Sequence, residues 1–297
     1  MAATNGNGHA KDPYGLNRDH LASIRLNLQN YLWRDSLGYT IHPDIKQELG
    51  LQSNPNKEIK IADIGTGTGI WLIDLAQELG LTEKNAPTSN IQLDGFDIDI
   101  VQCPQPEWLP GNINFHVWNA FESPESKFVG QYDIVHVRLF GINVRDTEHG
   151  IQVISNLKKI LKPGGWIQWE EVKSSASRVH KINPSLETPG TDGLLDYVLR
   201  ESRKYRGGDE WFTSADSIFQ SQGFEKVSLR EHIDPPMLWR YLYEVWLLTV
   251  AEFCRTQLRD TEAGAKYSAM VSQACDESRQ GAAIQLGRLA FIAKLPA

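Results

Sequence analysis

The chain has 297 residues, 41% hydrophobic and 23% charged, which suits one large domain or one domain with a cap. Its net charge of -7, without a long basic run, argues against a nucleic-acid partner, because phosphate binding needs clustered lysine and arginine. The three cysteines are far apart in the sequence and form no disulfide or metal-binding motif, so no metal is expected. The chain lacks both a secretory signal and an apolar run of roughly 18 residues, so we expect a cytoplasmic protein without a membrane span.

The N-terminal region divides into a tail and a helical segment. Residues 1–16 are rich in asparagine, glycine and alanine, which predicts a flexible tail. Residues 17–50 carry helical patterns, with Asp19 as the N-cap of a first helix and a second, short helix over Pro43–Leu49. The apolar spacing predicts that one stripe of the first helix is buried, formed by Leu21, Ile24, Leu28, Tyr31 and Leu32.

The stretch Ile59–Leu79 predicts a buried strand, a glycine turn and a helix. Gly65, Gly67 and Gly69 alternate through the turn, so the backbone there needs a positive φ or a close approach. Such a turn presents N–H groups and the positive end of the helix dipole to a ligand. The spacing is G-x-G-x-G and differs from the G-x-G-x-x-G of dinucleotide-binding proteins.

Strands and helices alternate after this turn, which predicts a parallel, doubly wound sheet. Ligands of such sheets bind beyond the carboxyl ends of the strands. The second predicted strand ends at Asp97, which suits a ribose hydroxyl, with Asp99 as a competitor for the same role. The third is followed by Asn119, and the fourth carries Arg138, which suits the carboxylate of an amino-acid group.

Two residues near the ends of the fourth and fifth predicted strands are candidate general bases. His136 has a reference pKa near neutrality, although a satisfied core histidine is an equally good interpretation. Glu170 and Glu171 end the predicted fifth strand, and one of them, with Trp169 beside it, is expected to face the cleft. The alternative is that both glutamates are exposed charges at a strand end.

Four features in order resemble the class I S-adenosylmethionine-dependent methyltransferases. They are Asp63 with its glycine turn, Asp97, Asn119, and the Leu161–Gly165 segment that enters a strand. The resemblance implies an α/β fold with a seven-stranded, mostly parallel sheet, whose last strand is antiparallel. It implies an N-terminal helical lid over 17–50 and a methyltransferase domain over 51–297, with a helical cap insertion at about 235–285.

The resemblance implies S-adenosyl-L-methionine as the cofactor. The family usually places an acid where this chain has Asn119, but the asparagine carbonyl can still accept from the adenine amine. The cofactor-binding residues that the resemblance implies are Asp63, Gly65, Thr66, Gly67, Gly69, Asp97, Ile98, Asn119, Ala120 and Arg138.

The stretches 31–33, 106–110, 132–138 and 164–171 are similar to those of fungal natural-product methyltransferases, including N-methyltransferases of diketopiperazine pathways and a regulator of secondary metabolism. This similarity implies a small, aromatic or hydrophobic acceptor, with nitrogen slightly favoured over oxygen. Trp33, Trp169 and Trp246 are the candidate substrate-binding residues. For Trp33 and Trp246, a place in the core is the alternative.

Other functions stay open at this stage. A methyltransferase fold can serve a pericyclase, a cyclase or a regulatory binding protein that transfers no methyl group. The glycine spacing and the Leu161–Gly165 segment disfavour an NAD-dependent dehydrogenase. A homodimer is also left open.

Overall fold

The computed structural model describes residues 15–51, 57–82, 90–206 and 210–297, so most of the predicted tail lies outside it. One sheet is present in this part of the chain. Its strands are β1 Ile59–Ile64, β2 Ile91–Asp97, β3 Ile113–Val117, β4 Tyr132–Arg138, β5 Leu161–Lys181, β6 Glu225–His232 and β7 Ala282–Lys294. The helices are α1 His20–Leu37, α2 Pro43–Leu49, α3 Ile70–Glu78, α4 Thr147–Ile160, α5 Pro189–Arg206, α6 Glu210–Thr213, α7 Ala215–Ser221, α8 Trp239–Thr256 and α9 Glu262–Arg279.

The sheet has the order β3-β2-β1-β4-β5-β7-β6. Strands β1 to β5 pair in parallel, whereas β7 runs antiparallel to both β5 and β6. This confirms the predicted doubly wound α/β fold with an antiparallel last strand. Helices α8 and α9 lie between β6 and β7, within the segment predicted as a cap. None of the described helices is long and apolar enough to cross a membrane.

The two faces of the sheet have different chemistry. One face is mostly apolar and packs against α4, α6 and α7, with Trp169 and Phe291 at its centre. On the other face, the lower half is apolar and packs against α2 and α3 through residues such as Ile61 and Ile134. The upper half of that face, towards the carboxyl ends of β1, β4 and β5, carries buried polar and charged side chains.

Strand β5 is longer than the sequence predicts. The sequence predicts that this strand ends at Glu170 and Glu171, but it continues to Lys181. The reason is its antiparallel neighbour, because β7 supplies ladder partners from Lys294, opposite Trp166, as far as Ala282, opposite Lys181. The predicted strand end is therefore wrong, and the two glutamates lie within the strand.

Helix α1 begins as predicted, with the Asp19 carboxylate accepting from the Ala22 N–H at 2.9 Å. Its buried face, however, differs from the predicted apolar stripe. Leu21, Ile24 and Leu28 are 55%, 61% and 45% exposed. The buried side chains of α1 are Ala22, Arg25, Asn30, Leu32, Trp33 and Ser36. Since α1 packs near the polar half of the sheet, its polar side chains face inward and the apolar periodicity gives the wrong face.

Candidate functional site

The glycine turn after β1 has the conformation that its sequence predicts. Gly65, Gly67 and Gly69 have φ values of 69°, 57° and 74°, in the left-handed region. A Cβ atom at Gly69 would lie 2.3 Å from the ring of Phe115. The turn therefore requires glycine at Gly69 both for its backbone angle and for the close approach of β3.

Asp97 lies directly against this turn. Its Oδ2 accepts from the Gly67 N–H at 3.0 Å, and its Oδ1 accepts from the Asp99 N–H at 3.3 Å. Burial raises the pKa of Asp97, although these N–H groups act in the opposite direction. Asp99 instead points outward and forms an ion pair with Arg18. Asp97, rather than Asp99, is thus the acid that the fold holds at the turn.

The loops after β2 and β3 carry the other predicted cofactor residues. Ile98 is 42% exposed, and Val117, which is in register with Asp97, is 61% exposed. The side-chain oxygen of Asn119 accepts from the Phe121 N–H at 3.1 Å, and its amide group donates to Glu122 at 3.2 Å. The Asn119 carbonyl therefore has one lone pair left for another donor.

Asp63, His136 and Glu170 form a buried chain on the polar half of the sheet. The His136 ring lies 2.7 Å from an Asp63 oxygen through Nδ1 and 3.1 Å from a Glu170 oxygen through Nε2. Asp63 also accepts from the Thr66 hydroxyl at 2.7 Å. Each nitrogen of the ring thus has a carboxylate oxygen as its hydrogen-bond partner.

Glu170 is fully buried and remains ionised. Burial acts to raise its pKa, but Arg138 and His136 outweigh this effect and lower the pKa of Glu170 to about 2. Arg138 donates from Nε to Glu170 at 2.8 Å, and the Gln168 amide donates to the second Glu170 oxygen at 2.6 Å. The Arg138 guanidinium therefore supplies the positive charge that pairs with the buried Glu170.

Neither predicted base is open to an acceptor in this arrangement. His136 is 1% exposed, has both nitrogens bound and stacks on Trp71 with ring centroids 3.7 Å apart. Glu170 has no exposed surface. The geometry favours a positioning role for both residues, which hold the glycine turn and Arg138 in place, over direct proton transfer.

Arg138 has one free hydrogen-bonding group. Its Nη1 donates to Asn30 on α1 at 2.9 Å, whereas its buried Nη2 finds no partner among the described residues. The Arg138 side chain is 8% exposed. A buried guanidinium with an unused N–H edge is a suitable group to bind a carboxylate.

Polar residues of α1 connect this helix to the site. The Asn30 amide donates to Asp74 on α3 at 3.2 Å, and Asn27 accepts from the Thr68 hydroxyl at 2.7 Å. Arg34 also forms an ion pair with Asp74. The apolar pattern of α1 does not single out these residues. Their helical spacing, with Asn27, Asn30 and Arg34 three and four positions apart, is the signal that would have found them.

The three tryptophans predicted to bind substrate lie in different places. Trp169 has no exposed surface and belongs to the apolar core on the other face of the sheet, so its predicted place beside Glu170 in the cleft is wrong. Side chains alternate along a strand, which separates these neighbours. Trp33 is 2% exposed and packs under the Arg288 guanidinium at 3.8 Å, and Trp246 is half-buried against the cluster of α5, α8 and α9.

A family model described as "Methyltransferase domain" matches residues 38–229, about two thirds of the chain. The chain belongs to this methyltransferase family. The matched range contains the glycine turn, Asp97, Asn119 and Arg138, and S-adenosylmethionine is the cofactor that this membership assigns.

Individual proteins that the chain is similar to are also named as methyltransferases. The chain is 38% identical over 129 residues to the methyltransferase grgD of Penicillium sp, covering 42% of this chain and 44% of that protein. It is 30% identical over 147 residues to the N-methyltransferase tcpN of Claviceps purpurea, covering 50% of this chain and 47% of that protein. The match thus spans less than half the length of each relative.

The chain is also similar to a solved structure, the phosphoethanolamine N-methyltransferase 2 of Haemonchus contortus in complex with S-adenosyl-L-methionine. The two chains share 15% identity, with a TM-score of 0.45, over 90% of this chain and 57% of that one.

Proposed function

We propose that the protein transfers a methyl group from S-adenosylmethionine to a nitrogen or oxygen atom of a small, aromatic or hydrophobic natural product, with nitrogen favoured. The observation that carries this proposal is the unused Nη2 of Arg138, a buried donor beside the glycine turn at the edge where ligands of such sheets bind. The family and the name of the N-methyltransferase relative support the reaction class and the acceptor atom.

The described residues suit the parts of the cofactor. Arg138 would bind its carboxylate through Nη2, and Asp97 would accept from a ribose hydroxyl. Ile98 and Val117, both exposed apolar side chains at strand ends, would flank the adenine ring, whose amine would donate to the Asn119 carbonyl. Arg138 and Asn119 therefore have hydrogen-bonding groups that suit the carboxylate end and the adenine end of the cofactor.

The bound cofactor supplies an electrophilic methyl group on a sulfonium. The chain's own residues hold the ends of the donor, and α1 covers the polar half of the sheet and keeps water from it. The Asp97 carboxylate at the glycine turn gives this end of the site a negative charge that favours a cationic donor. Because His136 and Glu170 are closed to the acceptor, an amine would react in its neutral form without a base from this pair.

The test is incubation of the full chain with the labelled donor and candidate amines and phenols. We expect label in at least one product together with S-adenosylhomocysteine. Donor binding by calorimetry without any turnover to S-adenosylhomocysteine would instead favour the second candidate, a methyltransferase fold that acts as a cyclase or a regulatory binding protein. The observation that favours this second candidate is the burial of both predicted bases, His136 and Glu170.

The proposal includes a small-molecule substrate and a cytoplasmic location. It also includes no nucleic-acid partner, which the net charge of -7 supports. Light scattering on the purified chain decides between a monomer and a homodimer.

A further inference from the structure

A cavity lies near the buried chain of Asp63, His136 and Glu170, between the segment after α1 and strands β6 and β7. Its volume is about 160 Å³, and Tyr39, His42, Arg230, His232 and Ile292 are among the residues that line it. For comparison, an engineered protein cavity of about 150 Å³ binds benzene. This cavity therefore has room for a single aromatic ring.

The cavity lies on the same face of the sheet as the donor site. Arg138, Glu170, Ala290 and Arg230 are successive register partners across β4, β5, β7 and β6, so their side chains share one face. Three strand spacings separate Arg230 from Arg138, which is roughly 14 Å. An acceptor of natural-product size can span this distance.

Arg230 is an exposed residue that brings a positive charge to the rim of the cavity. It forms no hydrogen bond or ion pair with the described residues, although its field reaches Tyr39 and His42. Glu231, which also lines the cavity, forms an ion pair with Lys173. A ligand that carries a negative charge would pair with Arg230 at the cavity.

The hydrogen bonds of His42 define its tautomer. Its Nδ1 accepts from the Asp44 N–H at 3.3 Å, so in the neutral ring Nε2 carries the proton. Burial lowers the pKa of His42, so the ring is neutral at pH 7. His42 is thus a hydrogen-bond donor through Nε2, and burial also keeps the Tyr39 hydroxyl protonated by raising its pKa.

The tautomer of His232 follows from the single hydrogen of the Ser36 hydroxyl. Ser36 donates this hydrogen to Asp234, which also contacts the buried Arg288 guanidinium. The contact between Ser36 and His232 Nε2, at 2.8 Å, is therefore a hydrogen bond donated by the ring. Arg230, His42 and Tyr39 remain as donors at the cavity, and Leu37, Ala290 and Ile292 supply apolar walls.

We propose that this cavity is a subsite for an aromatic carboxylate, with the carboxylate at Arg230 and His42 and the ring against Leu37 and Ile292. The role of this subsite as the anchor of the acceptor's far end rests on the proposed function, whereas the binding of the carboxylate itself does not. The subsite would select acceptors with an acidic end that reaches Arg230, three strands away from Arg138.

The probe is benzoate, titrated by calorimetry into the full chain, with benzyl alcohol and benzylamine as its neutral and cationic counterparts. We expect saturable binding of benzoate alone. Arg230→Gln should weaken it by about tenfold or more, because a charge-assisted contact is lost. The matched control is Arg240→Gln, which removes an exposed arginine on α8 and should leave binding unchanged.

Donor titrations of the same variants separate this subsite from the proposed function. Unchanged donor affinity in Arg230→Gln together with lost benzoate binding supports the subsite. Equal benzoate binding by Arg230→Gln and the unmodified chain, or no saturable binding at all, overturns it. If benzoate binds but the donor does not, the subsite stands and the proposed methyl transfer fails.

Discussion

Asn30 and Arg138 form a hydrogen bond that joins the N-terminal helix to the sheet, with Nη1 of the arginine 2.9 Å from Oδ1 of the asparagine. Because the same asparagine donates to Asp74 on α3, one amide connects α1, α3 and β4. It also orients the guanidinium whose Nη2 is left for a ligand. We therefore expect Asn30 to affect both stability and donor binding.

Asn30→Ala should lower the free energy of unfolding by roughly 1–3 kcal/mol, because it leaves buried polar groups of Arg138 and Asp74 without their partner. It should also weaken the binding of S-adenosylhomocysteine several-fold. Urea unfolding and calorimetry measure the two effects. The control is Asn114→Ala. It removes an amide on β3 that donates to Asp94, on the face of the sheet opposite to Asp63. A donor affinity equally reduced in the control would contradict a specific role for Asn30.

Arg138→Lys should reduce donor affinity by about tenfold or more. Lysine keeps the charge but cannot contact Glu170, Asn30 and a ligand carboxylate at once, as the planar guanidinium can. Calorimetry with S-adenosylhomocysteine measures the loss. The exposed Arg240→Lys serves as the control. Unchanged affinity in Arg138→Lys would show that the carboxylate binds elsewhere.

The sequence predicted the sheet, the glycine turn and Asp97, because these depend on local signals such as strand alternation and closely spaced glycines. The apolar period of Leu21 and Ile24 predicted the wrong buried face of α1. The buried Asn30 bonds to Arg138, which lies 108 positions away in the sequence and leaves no local signal. The sequence also left the state of His136 open. Only the fold brings Asp63 and Glu170 to its two nitrogens.

His136 provides a test of positioning against base catalysis. His136→Phe leaves two carboxylates without their shared donor and should lower the free energy of unfolding by roughly 3–5 kcal/mol. His136→Gln keeps a donor at that place and should restore much of the stability. If His136 is a base, the glutamine variant would bind the donor normally and lose activity by about 100-fold or more. If it positions the turn, loss of activity should follow loss of donor affinity.

Glu170 should make the stability of the protein fall in acid. Its pKa is about 2 in the folded chain and 4.5 as a reference for the unfolded chain, so its stabilisation is complete above pH 4.5 and is lost as the pH falls towards 2. The contribution is roughly 3 kcal/mol. Urea unfolding at pH 5 and pH 3 should show a smaller pH dependence in Glu170→Gln than in the unmodified chain. The exposed Glu231→Gln should retain the full dependence.

Gly69 and Gly80 lie at opposite ends of α3 and separate two effects of glycine. Both have a positive φ, 74° and 71°, but a Cβ at Gly69 would meet the Phe115 ring at 2.3 Å, whereas a Cβ at Gly80 would meet nothing within 4 Å. Gly80→Ala should therefore cost only the backbone strain, about 1–2 kcal/mol. Gly69→Ala should cost roughly 1–3 kcal/mol more, because the ring must move.

The same pair tests whether the turn itself binds the donor. Gly69→Ala should weaken the binding of S-adenosylhomocysteine, and Gly80→Ala should leave it unchanged. Adding Phe115→Leu to Gly69→Ala removes ring atoms from the clash and should recover part of the lost stability, while the backbone strain persists. Equal losses of stability in the two single variants would mean that the contact with Phe115 does not constrain the turn. Equal donor affinities would place the binding site away from it.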